Sequence, residues 1–308
     1  MVAGISPSGL AQIFTDALLP PIVYCAAGAL ADRYLEFESR TLSRLTVYVF
    51  LPPLMFSALM HVNVAAGEVM RVVAFILLTL TGMSLAGLGY ARLQGMDAAT
   101  TSSSTMASSF FNGVNLGFPV ALYSFGEPGL LAAGVIVAVN GIPHNVCGLL
   151  FAARGALSTR EALKALFRMP FPYVMGLALT LRLSGTVVPE PFMEPISEMG
   201  RASIPLVLVC VGMELRRIKV TSVNREVVGT VGLRLLFAPV LAWFVSDLVG
   251  LTGMLRTAAV LQASMPTAVM PIVYARLFGG NVDYISKAVF LSTLGSVLTI
   301  PVVIALLK

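Results

Sequence analysis

Long apolar runs alternate with short polar connections along almost the whole chain. They can be read at about residues 10–30, 41–60, 69–90, 99–125, 129–152, 170–188, 194–214, 227–250, 251–277 and 284–307. Each is close to the roughly 20 residues needed to cross a bilayer as a helix, so the pattern predicts an all-α membrane protein of ten transmembrane helices. Two of the runs are interrupted at their centres by polar residues with glycine or proline. The fourth contains Asn112-Gly113-Val114-Asn115-Leu116-Gly117-Phe118-Pro119, and the ninth contains Ala263-Ser264-Met265-Pro266-Thr267. Proline has no backbone N–H and its ring clashes with the preceding turn, so each of these spans is expected as two half-helices. Unwound backbone at membrane depth is tolerated only inside protein or along a wet cavity, which predicts that the two breaks face each other near the midplane. Half-helix N-termini would then present N–H groups and positive dipole ends to one shared volume, favouring an anion.

That reasoning makes Asn112, Gly113, Asn115, Gly117 and Pro119 candidate substrate-binding residues on one side of the crossing, and Ser264, Met265, Pro266 and Thr267 on the other. A single proline or glycine in a membrane helix is usually a kink or a packing contact; paired breaks in matching places are the pointer to a transporter's binding site. In the fifth span Asn140 and His144 lie one turn apart on one face, and the tenth carries Ser292, Thr293 and Ser296. Asn140 is read as binding substrate, with His144, Ser292 and Ser296 as cavity lining; hydrogen bonding between helices is the alternative for the serines. Arg234, about eight residues into the eighth span, is expected to snorkel to the interface, and Asp16, Glu214 and Asp247 are read as interfacial. No pair of acids sits mid-membrane, which argues against exchange of protons for metal ions.

Composition agrees with this reading. With 57% hydrophobic and 11% charged residues, the chain is far from a soluble domain, where charged residues are about 25%. The net charge of +5 is topological rather than a nucleic-acid footprint. Setting Arg234 aside, alternate assignment of the loops to two sides puts fourteen Lys and Arg on one side and five on the other. Basic residues gather on the cytoplasmic side, so both termini are expected outside the cytoplasm, in an inner or plasma membrane. No cleavable leader is read at the N-terminus. Cys25, Cys147 and Cys210 lie in apolar runs and read as packing residues.

The most polar connection, residues 154–168, separates a first five-span unit (1–153) from a second (169–308). Prolines repeat across it: Pro52 and Pro53 against Pro205, and Pro119 against Pro266. An odd number of crossings per unit inverts the second copy, as in many secondary transporters.

At these residues the chain resembles the auxin efflux carrier family, which includes plant PIN carriers and bacterial malonate and malate permease-like proteins. The similarity is carried by Asn112 through Pro119 with Ala121-Leu122-Tyr123-Ser124-Phe125-Gly126, by Ala263 through Ala268 with Ala275-Arg276 and Gly279-Gly280, and by Leu291-Ser292-Thr293-Leu294 and Pro301. The resemblance implies a fold like that of bile-acid symporters, with a scaffold of spans 1, 2, 6 and 7 and a transport unit of spans 3–5 and 8–10. It also implies elevator-type alternating access, a homodimer, and a carboxylate held on the asparagine side of the crossing. The short connection lacks the long cytoplasmic loop of many plant members, so their kinase regulation does not transfer.

The expected function is a secondary carrier exporting a small organic carboxylate, with no cofactor and no nucleic-acid partner. Coupling to Na+ or H+ on the same fold is the alternative. An intramembrane enzyme using His61 and His144 lacks any zinc or nucleophile motif, and no phosphate-binding loop points to ATP-driven transport.

Overall fold

The computed structural model describes residues 7–35, 37–61, 65–153, 170–218 and 222–308; the connection at 154–168 lies outside them. Among the described residues the fold is all-α, with no strand. We number the helices α1 (Pro7–Leu35), α2 (Thr41–His61), α3 (Ala66–Leu93), α4 (Ala98–Ser109), α5 (residues 113–125), α6 (residues 127–153), α7 (Phe171–Leu183), α8 (Glu190–Arg217), α9 (Arg225–Leu248), α10 (Gly253–Ala263), α11 (Met270–Phe278) and α12 (Val282–Leu307). Gly126, at φ 67°, makes the kink between α5 and α6.

Seven runs among the described residues are long and apolar enough to cross a membrane: α1, α2, α3, residues 113–148 of α5 and α6 together, α8, α9 and α12. The sequence pattern counts ten. The difference has identifiable causes. The ninth span is divided between α10 and α11, α4 is polar, and α7 has 13 residues, about 20 Å at 1.5 Å per residue.

Four helices carry a five-residue π turn, at Phe14–Leu18, Thr46–Phe50, Gly113–Gly117 and Leu233–Phe237. Each is followed two residues later by a proline: Pro20, Pro52, Pro119 and Pro239. A proline ring clashes with the carbonyl four residues back and cannot bond to it; widening the ladder to five residues relieves that clash without ending the helix. This is why Pro119 lies inside a helix rather than at its break.

α8 packs against α1 and α2, and α7 against α2; α3 packs on α4, and α4, α9 and α11 all reach α12. The α1–α8 contact is backbone to backbone. A Cβ on Gly28 would strike Val209, and one on Gly212 would strike the Cys25 carbonyl. At the end of the same pair, buried Asp32 accepts from Arg216 (2.7 Å) and from Arg217 (2.5 Å). The partner set of α4 is polar. Its serines and threonines are almost all buried, and they bond outward: Ser104 to Thr230 (2.8 Å), Ser102 to the Phe151 carbonyl (2.6 Å), and Ser103 to the Asn281 N–H (2.9 Å). Hydrogen bonds of this kind join helices where lipid supplies no hydrophobic drive.

Gly212→Ala is expected to destabilise the protein in detergent by about 1–3 kcal/mol, the usual range for overpacking. Gly89→Ala, whose Cβ would meet nothing within 4 Å, serves as the control and should stay within about 0.5 kcal/mol. Thermal unfolding of both variants decides the matter; equal midpoints would contradict the close approach of α1 and α8.

Candidate functional site

The two interruptions meet. α4 ends at Ser109 and the chain runs extended through Phe110–Asn112 before α5 begins; α10 ends at Ala263 and α11 begins at Met270. Phe111 and Thr267 pair as an antiparallel bridge. The Asn112 N–H donates to the Pro266 carbonyl and the Ala268 N–H to the Phe110 carbonyl, both at 2.8 Å. Proline suits this pairing, because the bridge asks position 266 for an acceptor and not for a donor. The Thr267 N–H donates to Ser292 Oγ (3.1 Å) and its hydroxyl to the Ala107 carbonyl (2.8 Å). Asn112 caps α5: its carbonyl accepts from Gly117 (3.0 Å) and its Oδ1 from the Asn115 N–H (3.3 Å).

On one side of the bridge lies a cavity of about 370 Å3, within the size range of small-molecule sites. The starts of α5 and α11 border it through Gly113, Val114 and Asn115 and through Val269 and Met270. Its body is apolar, with Phe110, Phe111, Val137 and Phe171. Polar groups come from Asn140 and His144 on α6, and from Ser43, Thr46, Cys210 and Glu214 on α2 and α8. His144 Nδ1 is 2.9 Å from Asn140 Oδ1. With that oxygen as acceptor the proton sits on Nδ1, and Nε2 has no partner. The ring stands edge-on to Phe110 and Phe111, at 4.2 and 5.1 Å.

The sequence candidates separate into two sets. Asn112, Gly113, Asn115, Asn140 and His144 border the cavity. Gly117, Pro119, Ser264, Met265, Pro266, Thr267, Ser292 and Ser296 do not; they are buried behind or beside the bridge. Gly117 and Gly113 make room for Gln262, whose side-chain oxygen a Cβ at either position would strike. Gln262 is fully buried and neither atom of its amide has a hydrogen-bond partner.

Two charged residues differ from their sequence reading. Arg234 does not snorkel: it is 1% exposed. Its guanidinium donates to the Ser108 and Ser109 carbonyls (3.0 and 3.4 Å) and to the Ala263 carbonyl, the last turns of α4 and α10. Eight residues from the helix end is close enough to reach the interface, but the free carbonyls at the C-terminal ends of α4 and α10 offer a cation better partners than lipid headgroups do. Glu214, read as interfacial, borders the cavity beside Ser43. Its neighbours Arg216 and Arg217 gave the interfacial impression, and the helix face on which it lies is visible only from packing. Among the described residues no group of three or more His, Cys, Asp and Glu is arranged to hold a metal.

Comparison with known proteins points to membrane transport. Residues 154–304 match a protein-family model described as a membrane transport protein. Over 278 residues the chain is 28% identical to an uncharacterised transporter of Methanothermobacter thermautotrophicus, covering 86% of this chain and 88% of that protein. An uncharacterised transporter of Methanocaldococcus jannaschii is 24% identical with the same coverage. With its apolar helices the chain is an integral, multi-pass membrane protein similar to membrane transport proteins, and these similarities support the resemblance to the auxin efflux carrier family.

Proposed function

We propose that the protein is a secondary carrier for a small organic monocarboxylate with an apolar body, working by elevator-type alternating access. The observation that carries this reading is the cavity itself, where the starts of α5 and α11 converge with the amides of Asn112, Asn115 and Asn140 over an aromatic floor. N–H groups and positive helix ends favour a carboxylate. Phe110, Phe111 and Phe171 favour an apolar remainder, and the Glu214 carboxylate disfavours a second negative group. In this reading α1, α2, α7 and α8 form the scaffold and the remaining helices the moving unit, giving ten spans in two inverted halves and a homodimer, as the resemblance implies. Both groups border the cavity, which is where an elevator's cargo rides. The Arg201–Glu127 pair, 3.4 Å and well exposed, ties α8 to α6 with no more than about 1 kcal/mol, weak enough to break in each cycle.

With the basic loops inside, the membrane potential supplies about 2.3 kcal/mol per charge per 100 mV, so it drives a monoanion outward without a coupling ion. A second reading, coupling to Na+ or H+, draws on one observation: the unpartnered amide of Gln262 against Gly113 and Gly117. Flux measured with imposed Na+ and pH gradients separates the two, since only the second reading expects the gradients to matter.

Gly141 borders the cavity, and a Cβ there meets nothing within 4 Å. In proteoliposomes Gly141→Phe is therefore expected to abolish carboxylate flux with the unfolding midpoint little changed, and Asn112→Ala to lower flux at least about tenfold, the usual cost of lost positioning. Undiminished flux in both variants would remove the cavity from the transport path. Glu214→Gln is expected to narrow the preference for monocarboxylates over dicarboxylates in a thermal-shift binding series; an unaltered ratio would show that Glu214 has no part in selectivity.

A further inference from the structure

Resting on the carrier reading above, and concerning the same crossing from its reverse side, we propose that Arg234 is the residue that makes the site select one negative charge. Two broken helices present four ends at their crossing. Two are C-termini, of α4 and α10, and two are N-termini, of α5 and α11. A helix end carries about half an elementary charge, negative at the C-terminus and positive at the N-terminus. Left alone, the four would sum to roughly zero, and the crossing would offer an anion little more than local dipoles.

The guanidinium of Arg234 changes that sum. It donates to Ser108 and Ser109 at the end of α4 and to Ala263 at the end of α10, so its single positive charge lies on the two negative ends and offsets them. No carboxylate pairs with it among the described residues, and its Nε has no partner. What remains uncompensated is the pair of positive ends, about one charge in total, and these are the ends that border the cavity through Gly113, Val114, Val269 and Met270. Arg234 also stands close behind the cavity wall. It shares a small void with Phe111, Asn140 and His144, and those three residues border the cavity on their other side.

Of the titratable groups around the cavity, Glu214 is the one carboxylate among the described lining residues; it lies on α8 and not at the crossing, so it adds to the wall's charge and not to the sum over the four helix ends and Arg234. His144 donates from Nδ1 to Asn140 and faces Phe110 and Phe111. Tyr274, Cys210 and Glu214 line the cavity, with Glu214 beside Ser43. Arg234 is thus a positioning residue with an electrostatic effect: it touches helix ends rather than cargo, and the crossing's net charge passes through it. A cargo of one negative charge neutralises the crossing, whereas a neutral cargo leaves it unbalanced and a second negative charge meets Glu214 on α8 with nothing left to offset it.

The test uses carboxylates paired with their uncharged amides: butyrate with butyramide, benzoate with benzamide, and 2-naphthoate with 2-naphthamide. Binding to the purified full chain is read by calorimetry or thermal shift. In the wild type at least one carboxylate is expected to bind about tenfold or more tightly than its amide, the scale of one charge at short range. Arg234→Gln should remove that preference by weakening the carboxylate while leaving the amide within about twofold, and Arg234→Lys should keep it in part. A merely structural role would weaken acid and amide together, and that outcome overturns the inference, as does a preserved preference in a folded Arg234→Gln protein. If Arg234→Gln does not fold, the inference stands or falls on a folded Arg234→Lys protein retaining the preference. A wild type that binds carboxylate and amide equally refutes the charge argument alone. One that binds neither, and shows no carboxylate flux, refutes the carrier reading beneath it.

Discussion

A peptide group taken out of a helix inside a bilayer must find another partner, because lipid supplies none and each orphan costs several kcal/mol. This requirement organises the centre of the molecule. Two chain segments leave their helices at the same depth, and each satisfies the other: Asn112 donates to Pro266 and Ala268 to Phe110. The residual groups are taken up by Ser292 on α12, by Arg234 on α9 and by the hydroxyl of Thr267 within the second break. Neither break is viable without the other, so the joined segments behave as one piece.

The bridge also divides polar chemistry into a front and a back. In front are the helix starts, the amides of Asn112, Asn115 and Asn140, and an apolar cavity. Behind are the helix ends, the guanidinium of Arg234, and the packed hydroxyls of α4, α9 and α12. Residues two positions apart in sequence fall on opposite sides: Thr267 is wholly buried at the back while Val269 borders the front.

Much of this was legible in the chain. Apolar runs placed the membrane helices, and two polar interruptions containing glycine or proline placed the breaks to within a few residues. The offset at the first break has a local cause: Pro119 disturbs the turn before it, which becomes a π turn over Gly113–Gly117, and the chain leaves the helix only upstream at Phe110–Asn112. Which break residues look into the cavity was not legible, because the bridge register sets it and register is a tertiary property. Arg234 and Glu214 were misplaced for a related reason. Both were judged by their distance from a helix end, whereas their surroundings depend on which neighbouring helix supplies carbonyls or a cavity wall. Gln262 gave no signal at all, since its significance lies in two glycines on another helix.

One contact far from any cargo shapes the cavity. α8 presents Gly212 to the backbone of α1 on one side and Cys210 and Glu214 to the cavity. Because Gly28 and Gly212 lack side chains, the two helices lie as close as their backbones permit, and this holds the cavity-facing surface of α8 back. The bore available to a passenger is therefore set by atoms that are missing from the opposite side of the wall.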